Sequence, residues 1–199
     1  RELARTLRGV SNGVPRVLKS AVNKTLPGIR TDMARETQQR LALKQSRIKK
    51  DIKIVKRAST RDFSGRVQSK GQPVSLYQFG AKQKKRGVSV RVLKSEGRKT
   101  IRGAFIARGK HGNMMVFWRQ KTGDSAQHIG TKKRKPWMVY AALPERYKYP
   151  VEALHGPRIQ DITSRPEVIQ AVEEKGRVRL RKQIASQTDR LLARQRARR

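Results

Sequence analysis

The chain contains no cysteine, which excludes disulfides and thiolate metal sites. Long apolar runs are missing too: none approaches the ~20 residues needed to span a bilayer. The opening RELARTLRGV has no apolar stretch of the signal-peptide kind. Aromatic residues make up 5% of the 199 and the hydrophobic fraction is 35%, so any core must be modest. Acid is scarce, with 14 Asp and Glu against 50 Lys and Arg, a formal charge of +36. A free monomer so charged repels itself, which favours a polyanion or an acidic protein as partner. The imbalance is not confined to the tails: between Ile52 and Lys121 there are 19 basic residues and two acidic ones, Asp62 and Glu96. These absences lead us to expect a soluble protein assembled in a reducing cytoplasm, without membrane contact.

Catalytic constellations are lacking as well. The three histidines, His111, His128 and His155, lie in three different irregular stretches, and none has a second ligand at metal-binding spacing. Gly109-Lys110-His111-Gly112-Asn113 lacks the spacing of a phosphate loop and joins two apolar runs rather than opening a helix. Two-metal chemistry needs clustered acids, whereas Asp32, Asp62, Glu96 and Asp161 are scattered. With no serine nucleophile elbow either, we expect no enzyme, no cofactor and no metal.

What is present is organised around Thr100 to Gln120. Two apolar runs, Ile101 to Ala107 and Met114 to Trp118, flank the short Gly/Asn break, the local signal for a hairpin. Both arms are apolar on both faces, as in central strands or strands that meet a neighbouring subunit. Ile101, Phe105, Met115 and Phe117 are therefore the expected core. Upstream, Val14, Val17, Leu18, Ala21, Val22 and Leu26 recur at helical spacing, with Ser11 or Asn12 as cap and Pro15 in the first turn. Pro27-Gly28 is expected to break or kink that helix. A second helical segment carries Ile29, Met33, Thr37 and Leu41 on one stripe, and a short helical turn follows at Ser46 to Lys50. From Ile52 the period becomes two, with strands in IKIVKRA, SGRVQSK and GVSVRVLK. Gln72 to Arg86 reads as a loop. After Pro166 a helical stripe runs through Val168, Ile169, Val172, Leu180, Ile184 and Leu191, weakened in its middle by Gly176 and Val178, with Ser164 and Glu167 in capping-box spacing.

The expected fold is α+β: N-terminal helices, a roughly five-stranded, mainly antiparallel sheet, and a long C-terminal helix. The expected segments, within one structural domain, are a helical part (1–50), a β-rich core with basic loops (51–150), and a Gly-Pro turn with a C-terminal helix (151–199). Such a helix is too long to pack entirely on one small sheet, so its last turns, with Leu191 and Leu192, reach a neighbouring subunit or fray. Two basic runs, Lys82, Lys84, Lys85 and Arg86 and then Lys132, Lys133, Arg134 and Lys135, could contact phosphates without reading sequence. Tyr77, Phe79 and Trp137 flank them, as base-stacking residues or, more simply, as loop anchors. No motif for base readout is found.

The order of segments AVNKTLPGIRTDMARE, SRIKKDIKIVKRAS, FSGRVQSKGQPVSLYQF, TIRGAFIARGKHGNMMVFWRQ and PVEALHGPRIQ resembles the minor tail protein Z family of lambda-like tailed phages, also called tail completion proteins. The likeness covers about Ala21 to Gln160. Leu154-His155-Gly156-Pro157 is similar to the family's Leu-aromatic-Gly-Pro turn, with His155 where an aromatic is usual. The resemblance implies a non-enzymatic virion component, a phage neck protein at the head-proximal end of the tail. It also implies a homo-oligomeric, sixfold ring that meets tail terminator, tail tube and head-connector proteins, with genomic DNA in the channel. On that reading the turn at Leu154, His155, Gly156, Pro157 and Ile159, with Leu191 and Leu192, makes subunit or tail-tube contacts. The two basic runs face DNA or an acidic partner. The competing class is a sequence-independent nucleic-acid binder of ribosomal or nucleoid type.

Overall fold

The computed structural model describes residues 12–109, 112–119 and 151–197. The chain folds as two compact units, one from Arg1–Gln72 with Pro157–Arg199 and the other from Pro73–Gly156.

The first unit is built on two long helices, α1 (Gly13–Arg40) and, at the far end of the chain, α4 (Pro166–Arg196). At ~1.5 Å per residue they run about 42 and 46 Å. They pack antiparallel: Glu36 meets Lys175, Asp32 meets Arg179, and Ser20 meets Gln187. Between α1 and α4 come α2 (Gln45–Asp51), the strands β1 (Ile52–Lys56) and β2 (Arg66–Ser69), and α3 (Ile159–Thr163). The two strands pair antiparallel, with Ile52 opposite Ser69. Val17, Ala21, Leu26, Ala34, Leu41, Ile48, Ile52, Ile159, Ile162 and Val168 form the core of this unit.

Pro27 does not break α1, which continues through it. A mid-helix proline forfeits one backbone hydrogen bond, and here packing along α4 offsets that loss. The side chain that lies on the Pro27-Gly28 stretch is Arg179: a Cβ built on Gly28 would fall 1.7 Å from Arg179 Nη1. Glycine at 28 thus leaves room for a guanidinium that reaches Asp32 one turn further on. The expected caps also differ. Asn12 sits at the N-cap of α1 in a left-handed conformation (φ 53°) without a side-chain cap, and Ser11 lies outside the described residues. Ser164 and Glu167 do not form a capping box, because the N-cap of α4 is Arg165, one residue later, and Ser164 instead ends α3; Glu167 Oε2 accepts from Arg40 Nη2 at 2.8 Å.

The second unit holds two three-stranded antiparallel sheets. One orders β3 (Lys82–Lys84), β4 (Gly87–Val90) and β5 (Lys99–Arg102); the other orders β6 (Ala104–Arg108), β7 (Met114–Arg119) and β8 (Val151–Ala153). The hairpin expected around Gly109 is present as β6–β7, with Phe105 opposite Phe117 and Ala107 opposite Met115. Gly109 N–H donates to Asn113 O at 2.8 Å, closing the turn, whose Lys110 and His111 are outside the described residues.

The fold is α+β with a long C-terminal helix. Its strands are shorter and more numerous than expected, eight among the described residues in three sheets. Gln72 to Arg86 is not a loop: it contains a 3-10 turn at Leu76–Phe79 and strand β3. Val74, Leu76 and Phe79 are buried there, Phe79 at 1% exposure. The spacing of those three matches neither a strand nor an α-helix, which is why period alone hid them.

Candidate anion-facing surfaces

The basic run at Lys82 to Arg86 is a β-hairpin. Lys82 and Lys84 lie on β3 and pair with Ser89 and Gly87 of β4; Lys85 and Arg86 make the turn. All four are exposed. On the other side of β4, Gly87 pairs with Arg102 and Ser89 with Thr100. Since residues opposite one another share a face, Lys82, Lys84, Thr100 and Arg102 stand on one side of the sheet. Lys84, Lys85, Arg86, Thr100 and Arg102 surround one shallow depression. Among the described residues, Lys82, Lys84, Lys85, Arg86 and Arg102 are not held in any ion pair.

Arg102 and Thr100 belong to this surface yet escape sequence reasoning, because the register of β4 against β5 brings them there. Gln83, on the opposite face, fastens the hairpin. Its Nε2 donates to Gly87 O at 3.2 Å and its Oε1 accepts from Ile106 N–H at 2.9 Å. Arg98 is also committed to the fold, donating to Gly80 O and Ser89 O at 2.6 and 2.8 Å. Among the described residues β3 is an edge strand, and edge lysines also keep other strands from pairing there. Lys132, Lys133, Arg134 and Lys135, with Trp137 and His128, lie outside the described residues.

Within the second unit, the backbone of Leu154 and Gly156 is stitched to its neighbours. Leu154 N–H donates to Val116 O at 2.8 Å, Leu154 O accepts from Leu76 N–H at 3.2 Å, and Gly156 N–H donates to Val74 O at 2.7 Å. A Cβ on Gly156 would approach Phe79 Cε2 to 2.7 Å, so glycine there is a packing requirement of the Phe79 ring. Leu154, Gly156 and Pro157 are half-buried, and His155 is exposed with Nδ1 2.9 Å from Ala153 O. Ile159 is fully buried within the helical unit and therefore is core there rather than contact surface. Leu191 and Leu192 are half-buried on α4.

Of the four residues expected as core, Ile101, Phe105, Met115 and Phe117 are each half-buried. Phe105 and Phe117 stack with ring centroids 5.9 Å apart. The fully enclosed side chains of that hairpin are Ala104 and Val116, on its other face.

Part of the positive charge is structural. Arg30 Nε and Nη2 donate to Ile52 O and Lys49 O, both at 2.7 Å, and so cap the last turn of α2. Arg47 pairs with Asp51, and Arg179 Nη2 lies 2.9 Å from Asp32 Oδ2. Lys175 is held by Glu36, whose hydrogen bond and charge raise the ammonium's pKa above its ordinary value. Among the described residues, no three His, Cys, Asp or Glu side chains gather as a metal site, and no helix is long and apolar enough to cross a membrane.

The surfaces are thus cationic platforms on a small α+β scaffold, the makings of an assembly component. Residues 2–197 match the family described as prophage minor tail protein Z (GPZ), and the chain belongs to that family. It is a structural protein of the phage tail and a component of the virion. No curated protein and no solved structure matches the chain significantly.

Proposed function

We propose that this protein completes the head-proximal end of the tail as a ring of identical subunits, sixfold by analogy with the family. It would be added during assembly in the host cytoplasm, bridging tail terminator and tail tube to the head connector. There it positions the end of the genomic DNA for ejection and performs no catalysis. The carrying observation is the family match, which spans both compact units. The charge supports it: a protein at +36 is at rest only beside a large anion, and a neck offers one in the packaged genome or in acidic connector surfaces. The unpaired cations of the β3–β4 hairpin are the proposed contact.

The test is localisation. Virions carrying a labelled copy of the chain should show density at the head–tail junction in negative-stain images, and particles made without it should accumulate as separate heads and tails. Label at the distal tail tip, or intact joined particles in its absence, would refute the reading.

A further inference from the structure

The end of the α1–α4 pair nearest the start of α1 holds a cavity of about 270 Å³. Arg16, Ser20 and Lys24 of α1 and Gln187, Arg190 and Arg194 of α4 line it. Four of these six are cations, and among the described residues no carboxylate contributes to the lining. Val17 and Leu191 complete the lining, and Gln187 is its buried polar member, 9% exposed. The amide oxygen Oε1 is fully used, accepting from Ser20 Oγ and from Lys24 Nζ, both at 2.9 Å. Those two donors fix which way the amide points. Its Nε2 is buried without a hydrogen-bond partner. A buried N–H without an acceptor leaves its desolvation uncompensated, and this one belongs to a side chain that lines the cavity. A single small anion would answer that need but leave most of the charge standing.

The cavity does not end there. Arg16, Ser20 and Lys24 also line an adjoining groove that continues to Lys19 and Arg57. Cations therefore follow one another from α4 across α1 to the residues after β1. Such a track fits a linear polyanion with charges at regular intervals, and arginine forks suit phosphate oxygens.

We propose that this track binds the phosphodiester backbone of nucleic acid, with one phosphate seated in the cavity and supplying the acceptor that Gln187 Nε2 lacks. The contacts are to backbone alone, so binding is independent of sequence. The inference rests on the proposed function only in placing DNA within reach, and it is tested on the isolated protein, so one can fail without the other.

The experiment titrates the full chain with a short duplex across a salt series. Arg190 and Arg194 reach solvent at the rim of the cavity, so Arg190→Gln with Arg194→Gln keeps the fold, as an unchanged melting temperature should verify. The double variant should bind duplex about tenfold more weakly, and its log-affinity against log-salt slope should fall by about two, one for each phosphate no longer neutralised. Gln187→Leu removes a neutral donor, so it should weaken binding while leaving the slope unchanged. Arg181→Gln with Lys182→Gln, exposed on α4 and outside the lining of the cavity and the groove, is the comparison for generic charge removal and should change affinity and slope clearly less than the Arg190/Arg194 variant. An unchanged affinity and slope in the Arg190/Arg194 variant would overturn the proposal. So would polyglutamate displacing duplex at equal charge concentration from the wild type but not from that variant, which would assign the track to an acidic protein.

Discussion

At the scale of single residues, the clearest balance is the Asp32–Arg179 pair. Asp32 is 5% exposed, while solvent reaches about a third of Arg179. Removing the arginine strands a carboxylate in the helix interface. Arg179→Ala should therefore destabilise by an amount between the ~1 kcal/mol of an exposed pair and the ~3–5 kcal/mol of a broken buried one. Arg179→Met combined with Asp32→Leu should recover most of that in chemical denaturation. No recovery would mean that the guanidinium acts mainly by packing over Gly28. A second contrast tests where the core lies. Phe79→Ala should cost ~3–5 kcal/mol, as for a fully buried ring. Phe105→Ala should cost clearly less, because its stacked ring is only half-buried. The reverse order would return the core to the outer face of the β6–β7 hairpin. Neither the buried Asp32 nor the buried Phe79 is legible in the sequence. Their partners are distant along the chain, and one sequence carries no signal of which distant residues meet.

At the scale of elements, the amphipathic stripes of α1 and α4 can be read from local period, and the β6–β7 hairpin from two apolar runs about a Gly/Asn break. What escapes is decided by contact: the continuity of α1 through Pro27, the buried 3-10 turn, and the division of the strands among three sheets. The β1–β2 connection gives a pH prediction at this scale. Lys56 donates to the Asp62 carboxylate, and Ser64 N–H donates to its Oδ1 at 2.8 Å. Both hold the Asp62 pKa far below the usual carboxylate range. Glu167 is lowered in the same direction by Arg40. A carboxylate with a depressed folded pKa contributes stability above its unfolded value, about 4, and loses that contribution as pH falls further. Thermal melts between about pH 4 and pH 2 should therefore decline less steeply for Asp62→Asn than for the wild type. Parallel declines would show that this carboxylate is solvated alike in both states.

At the scale of the molecule, the charge that composition announced is divided by the fold into two kinds. Arg30, Arg40, Arg47, Lys175 and Arg179 hold elements together, whereas the β3–β4 hairpin carries cations with no ion-pair partner among the described residues. Composition gives the total and is silent about this division, because it depends on which side chains reach carboxylates or helix ends. Reversing charge at Lys84 and Lys85 touches only the second kind. Lys84→Glu with Lys85→Glu should leave the melting temperature within about 2 °C, as surface changes away from packed features do, while head–tail joining or DNA retention falls. An unchanged phage titre would remove this hairpin from the contact.

The edge position of β3 bears on how copies can meet. Lys82, Gln83 and Lys84 are all exposed along it, and two such borders laid side by side would set lysine against lysine. In the ring we propose, copies of this strand would therefore not zip their sheets into one continuous ribbon, and the contacts between copies would be drawn from other parts of the surface.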